Sequence, residues 1–449
     1  MSMAHIASTT SDWDGTVDRL GGREKLEAEA RDCGAFQRPR EVKCAVDQLR
    51  LAFAYCLGLM GLRLTAAWAE GAGLASLSNV ALLGRLRNTV PWLEKIVARL
   101  LALSAAAPER AVAGTGAAPG RQRLIRLVDA TTVRKAGKSA RESGRLWRVH
   151  AVFDLPAERF SAFELTDETG AERINRVAVV PGELRIADRV HCRADDLADV
   201  MAQKADVLVR AGWRSNRWLD EAGRTCDLIA ELSANTSGVI DRPIWLRRTE
   251  GEPLRLRLVA VRMPKAQAVK AVADARAEAK KKQHKIQSGT LIAAEWVILV
   301  TSLEPAEYAT EKVLELYRLR WRIEIAFKRM KSLAGLGGPP GACPQVAKAW
   351  VLCHLIAVML TEAQLAAFGA SPRRAPRTAG PVARFPPADD GAVARHHPRT
   401  RPRHRRGSCP AARTPLARAT EKTRISMHHE SILAPMGSDP VRLVRPLGS

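Results

Sequence analysis

The chain has 449 residues, a net charge of +24 and 46% hydrophobic residues. That apolar share can build a sizeable core, which excludes a wholly disordered chain. No uncharged apolar run approaches the ~18 residues of a bilayer span, so an integral membrane protein is excluded, and residues 1–16 lack the basic and apolar regions of a secretory signal.

A large positive charge points to a polyanionic partner, because Lys and Arg gain affinity by releasing counterions from phosphates. The charge is unevenly spread. Residues 1–370 carry 55 basic and 42 acidic side chains, while residues 371–449 carry 16 and 5. None of the eight cysteines forms a C-x-x-C pair, which excludes zinc-ribbon and thioredoxin-like readings. Scattered thiols in a chain of this length suit a reducing compartment.

The first thirty or so residues read as polar, with few apolar positions. From Pro39 to Leu103 the pattern is helical, and Leu49, Phe53, Cys56 and Leu57 form one apolar face. A short helix around Trp68, glycines at 71 and 73, and a second helix with Ser78 as N-cap suit a helix-turn-helix. Plain helical packing would give the same pattern. Residues 105–121, rich in Ala, Gly and Pro, read as a linker.

Strands follow. Leu124–Asp129, Trp147–Asp154 and Arg159–Leu165 form a meander. Leu184–Asp188, a helix over 193–204 and Asp206–Arg210 form a strand–helix–strand unit. Together they predict a mixed α/β sheet. Residues 212–301 break the rhythm and read as a mostly β insertion. It holds strands at 244–247, 254–262 and 295–301, and a basic helix over 266–285 that contains Lys280, Lys281 and Lys282. Such a lysine run is most often a solvated face, but beside a DNA site it would hold phosphates.

Glu311–Leu336 reads as one long helix with an apolar face of Leu316, Leu319, Ile323, Ala326 and Met330. At roughly 100° per residue, Tyr317, Arg320, Glu324 and Lys331 fall within an arc of about 60° away from that face. A further helix spans 346–368. After residue 370 the text turns Arg-, Pro- and His-rich, with 12 of the 25 prolines and no Trp or Tyr, which predicts disorder. The hypothesis this composition raises is a frameshift near residues 368–375, since a GC-rich gene read out of frame gives such a bias.

Asp129 and Asp188 each end a predicted strand, and Glu324 lies on a helix expected against the same sheet. Three converging carboxylates repel one another unless cations sit between them, and Mg²⁺ takes oxygen ligands of this kind. A strand-terminal Asp is also a common turn or cap residue.

The spacing Tyr317-x2-Arg320-x3-Glu324-x6-Lys331 resembles the Y-R-E-K signature of the insertion-sequence-four branch of DDE transposases. The text YRLRWRIEIAFKRMKSLAGL resembles that family's glutamate helix, DATTV its first aspartate motif and ADR its second. The resemblance covers about residues 40–365. It implies a ribonuclease-H-like core interrupted by the mostly β insertion and preceded by an all-α domain. The parts would be 1–104 (helical, DNA-binding), 105–121 (linker), 122–211 and 302–370 (core), 212–301 (insertion) and 371–449 (disordered tail).

It further implies that Asp129, Asp188 and Glu324 bind Mg²⁺, or Mn²⁺ in its place, and carry out DNA cutting and joining. Arg320, Lys331 and Tyr317 would contact phosphates near the cut end. Trp296 resembles a tryptophan on which a flipped base stacks in a relative; a strand-core residue is the alternative. The implied partners are the element's terminal inverted repeats and target DNA, bound by a homodimer in the bacterial cytoplasm at the nucleoid.

Two departures stand out. One is the tail. The other is Asp188-Arg189-Val190-His191, where this branch usually reads Asp-Arg-Gly-Tyr. If that glycine serves a tight turn, Val190 is strained there. The competing readings are therefore a decayed transposase that binds DNA without cutting it, and a metal-dependent nuclease on the same fold.

Overall fold

The computed structural model describes residues 12–58, 60–106, 123–134, 146–167, 169–340, 343–369 and 441–443. The linker reading, apart from its first two residues, and nearly all of the tail reading lie outside these.

The first turns of chain are more structured than their polarity suggests. Helices α1 (Trp13–Arg19) and α2 (Arg23–Asp32) bury Trp13, Val17, Leu20 and Leu26. The spacing 13, 17, 20 is one helical face, a signal the polar average hides. Helices α3 (Ala45–Leu57), α4 (Leu62–Gly71), α5 (Asn79–Asn88) and α6 (Val90–Ala106) follow. Ser78 caps α5, its hydroxyl accepting from the Ala81 N–H at 3.1 Å. The link between α4 and α5 takes seven residues, 72–78, longer than the roughly three or four of a helix-turn-helix.

One ten-stranded sheet holds the rest together. Strands β1 (Ile125–Arg134), β2 (Leu146–Asp154) and β3 (Arg159–Thr166) form the antiparallel meander. β4 (Leu184–Ala187), α7 (Ala194–Ala202) and β5 (Asp206–Arg210) form the strand–helix–strand unit, with β4 parallel to both β1 and β5. Next come β6 (Trp218–Leu219), α8 (Leu228–Ala234), β7 (Val239–Leu246), β8 (Leu254–Arg262), α9 (Lys265–Lys281), α10 (Ser288–Ala294) and β9 (Trp296–Thr301).

The 212–301 segment is thus not mostly β, since it holds three helices beside its strands. Its longest element is the helix α9. Its last strand, β9, pairs antiparallel with β5 through Leu208↔Thr301, and β8 and β7 continue outward from it. The main-chain groups of β5's free edge are satisfied this way. From the meander outward the order is β3-β2-β1-β4-β5-β9-β8-β7-β6, and β10 (Val441–Leu443) pairs antiparallel with β3. That short strand within the tail departs from the disorder expected there.

Side chains alternate across each strand, so the sheet has two distinct buried faces. Ile125 and Leu127 of β1, and Leu184 and Ile186 of β4, join the core that includes α1–α6 and three C-terminal helices. These are α11 (Thr310–Arg318), α12 (Trp321–Ser332) and α13 (Pro344–Gly369). Val128, Ala187, Val207 and Val209 face the other core, with α7 and α8. Under that second face Arg185 is fully buried. Its Nε pairs with Glu183 at 2.5 Å, and its Nη atoms donate to the carbonyls of Ile174, Val177 and Ala178. Arg126 also pairs with Glu183, at 2.8 Å.

Helix α13 is long and apolar enough to cross a membrane by length and composition. Its side chains Val346, Ala349, Trp350, Leu352, Leu355 and Ile356 are instead buried in the first core. Lys348 ties it to Glu94 of α6 at 2.6 Å.

Candidate active site

Asp129 does not end its strand. β1 continues through Thr131, Thr132 and Val133, a β-branched run that favours strand. Val128 pairs with Ala187 in the parallel register of β1 and β4, so Asp129 and Asp188 are the next residues on neighbouring strands. By alternation, Asp129 shares a face with Ile125 and Leu127, and Asp188 with Leu184 and Ile186. Both carboxylates thus project to the side covered by α11 and α12. Helix α12 packs on β1, and Phe327 stacks on Phe160 with ring centroids 5.8 Å apart.

The expected single helix over 311–336 is broken. α11 ends at Arg318 and α12 begins at Trp321. Between them the bonds tighten to three-residue spacing: Leu319 N–H to Leu316, Arg320 to Tyr317, Arg322 to Leu319 and Ile323 to Arg320. No Pro or Gly marks this break in the sequence. It places Arg320 at the joint, where it gathers the site. Its Nη2 pairs with Glu324 at 2.5 Å, and its guanidinium lies 5.8 Å from the Tyr317 ring centroid. Its Nε is buried with no hydrogen-bond partner among the described residues.

The electrostatics confirm proximity. Burial pushes the Asp129 carboxyl up to about 6, and the Asp188 charge adds to this, against the Ala130 N–H, His191 and Arg320. Burial acts on Asp188 too, but it is outweighed by His191, the Val190 N–H and Arg320, so Asp188 stays below the usual carboxylate range. The contacts are short: His191 Nδ1 to Asp188 Oδ1 at 2.9 Å, and Val190 N–H to the same oxygen at 3.0 Å. Burial raises the Tyr317 phenol, with Arg320, Arg210 and Asp188 in its field.

Val190 is not strained. It lies in a three-residue turn, 189–191, and is absent from the described non-glycine residues with positive φ. His191 is buried, and its contact orients Asp188. Sequence reading met it only as a departure, although its three-residue distance from Asp188 suits a capping turn. Lys331 borders an open groove of about 460 Å³, lined also by Glu324, Phe327, Lys328 and Ser332.

Trp296 does not join this site. It is 1% exposed and packs with Ile298 and Val300 in the second core, on the opposite face of the sheet. Arg262 covers its ring at 4.8 Å. In this structure Trp296 is a strand-core residue. Trp321, the residue after Arg320, is 60% exposed.

The donor chemistry fits a divalent cation: two aspartates on adjacent strand positions, with mutual repulsion that a cation relieves. Glu324 is turned to Arg320. Among the described residues no three His, Cys, Asp or Glu side chains are gathered closely enough to share an ion.

A mixed α/β sheet with paired aspartates facing an Arg–Glu helix joint defines the class of carboxylate-based phosphoryl-transfer enzymes. Residues 120–360 match the family described as transposase DDE domain. The chain is 37% identical over 356 residues to the putative transposase InsL for insertion sequence element IS186A of Escherichia coli (strain K12), covering 78% of this chain and 93% of that protein. It is also 37% identical over 357 residues, with the same coverage, to the transposase for insertion sequence element IS421 of Escherichia coli. The chain belongs to the DDE-domain transposases of insertion sequences. It is a DNA transposase, an enzyme of the DDE type, and that domain implies dependence on divalent metal.

Proposed function

We propose that this transposase moves its element by cut-and-paste, with Asp129, Asp188 and Glu324 as its catalytic carboxylates. The observation that carries the reading is the pairing of Asp129 and Asp188 on one face, opposite the Arg320–Glu324 joint. The strand order β3-β2-β1-β4-β5, with β4 and β5 parallel to β1, supports a ribonuclease-H-like core. The Tyr317, Arg320, Glu324 and Lys331 spacing supports membership of the insertion-sequence-four branch.

Asp129 and Asp188 would hold the cation, and Glu324 would join them on leaving Arg320, with Mg²⁺ the ion of choice and Mn²⁺ a substitute. The chemistry a cation would supply there is activation of a water or 3′-hydroxyl and stabilisation of the leaving oxygen. The chain's own groups do the rest. Arg320, with its Nε unpartnered, offers a forked donor to a phosphate. Tyr317 flanks it, and Lys331 brings a mobile charge to the groove beside Glu324. His191 fixes the Asp188 carboxylate. The substrates are the element's terminal inverted repeats and target DNA, paired by a homodimer.

The test is Mg²⁺-dependent cleavage of terminal-repeat DNA by the wild type and by Glu324→Gln. Cleavage by the wild type alone is expected, with joined products in a plasmid assay. Equal cutting by both removes the role of Glu324. Cutting without joining leaves a nuclease.

A further inference from the structure

Helix α9 is the longest element of the 212–301 segment, and Ala268 is its one buried residue. At roughly 100° per residue, Ala268, Ala271, Val272, Ala275 and Ala279 share an inward arc of about 100°. The outward arc, about 160° wide on the same wheel, holds Lys265, Arg276, Lys280, Lys270 and Lys281 and no acid. Asp274 and Glu278 fall together on the flank between these arcs. All five cations are exposed, and among the described residues none is ion-paired. The one salt bridge of this helix, Glu278 to Lys282 at 2.7 Å, lies on the acidic flank.

A helix that needs only solubility intersperses both signs, because opposite charges at four-residue spacing support it. Here the signs are sorted. The residues between the cations are Ala266, Ala273, Ala277 and the exposed Val269, all shorter than Lys and Arg, so the long basic side chains reach beyond them. The cations span about 24 Å of helix axis at 1.5 Å per residue. A duplex presents one charge per roughly 1.7 Å over that length.

Near the C-terminal end of this helix lies Glu278, on the acidic flank. The Glu278 carboxyl is held low first by its hydrogen bond from Lys282, and also by the field of Arg189, the residue directly after Asp188. Arg189 is itself exposed.

We propose that the outward face of α9 is a rail for the phosphate backbone of duplex DNA. This deepens the proposed function and rests on it for the identity of the DNA. The contacts go to phosphates, so the rail sets the path of the duplex and carries no sequence preference.

The test is the salt dependence of duplex binding by the full chain, read as fluorescence anisotropy between about 50 and 200 mM salt. Replacing Lys270, Arg276 and Lys280 together by Gln should lower the slope of log K against log salt by about 2–3, at roughly 0.9 per lost phosphate contact. The loss should be equal on terminal-repeat and unrelated duplexes. A control with Lys204, Arg217 and Arg224 changed to Gln removes the same charge elsewhere and should keep the wild-type slope. An unchanged slope in the α9 variant overturns the rail. So does an equal fall in the control, which makes the effect one of net charge. Terminal cleavage by the wild type, set beside Glu324→Gln, is scored separately, so the rail can fail while the proposed activity stands.

Discussion

Replacing Asp129 by Asn should make the metal-free protein more stable at neutral pH. The Asp129 carboxyl is pushed up to about 6 from 3.8, first by burial and then by the Asp188 charge. A raised folded pKa means that the folded state holds this proton after the unfolded chain has lost it. The stability it contributes is complete below about 3.8 and is lost as pH rises to about 6. Above that, the folded protein carries a buried, repelled charge. A rise of this size corresponds to about 3 kcal/mol, and partial exposure of the side chain brings the expected gain for Asp129→Asn to about 1–3 kcal/mol. Urea denaturation in chelator at pH 7.5 should show this gain, and at pH 4 it should vanish. Added Mn²⁺ should then stabilise the wild type and not the variant, since only a ligand bound by the folded state shifts the midpoint. A variant no more stable than wild type at pH 7.5 would refute the reasoning, because the strain assigned to the aspartate pair would not exist.

Three further outcomes follow from the same geometry. Trp296→Ala should cost about 3–5 kcal/mol as a core truncation, while Trp296→Phe should keep terminal cleavage; loss of cleavage by a well-folded Phe variant would return Trp296 to the DNA. Arg185→Met should destabilise by about 3–5 kcal/mol in thermal melts, because Glu183 loses one of its two buried partners. His191→Ala should weaken Mn²⁺ binding by about 10–100-fold in calorimetry, the usual effect of removing a group that orients a ligand; unchanged affinity would make His191 a packing residue only.

Much of the site was legible in the text. The spacing of Tyr317, Arg320, Glu324 and Lys331 picked out one helical line, and the two strand motifs singled out both aspartates. The Arg320–Glu324 ion pair lies within that line. The break at Leu319–Arg320 was not legible, since backbone bonds that shorten from four residues to three leave no trace in residue type. The burial of Trp296 was half-legible: its alternation with Ile298 and Val300 predicts a shared face, but nothing local says which face of the sheet. β1 running on past Asp129 could have been read from Thr131, Thr132 and Val133. The joining of β9 to β5 is a long-range pairing that no local pattern encodes.

The N-terminal helices and the carboxylate-bearing sheet share one apolar core, from Trp13 through Leu127 to Ile356. An arm on a hinge could grip DNA at many offsets from the place where it is cut. Two parts that fill one interior behave as a caliper with fixed jaws. Were base pairs held by these helices, they would lie at a fixed distance from the carboxylates of the same chain.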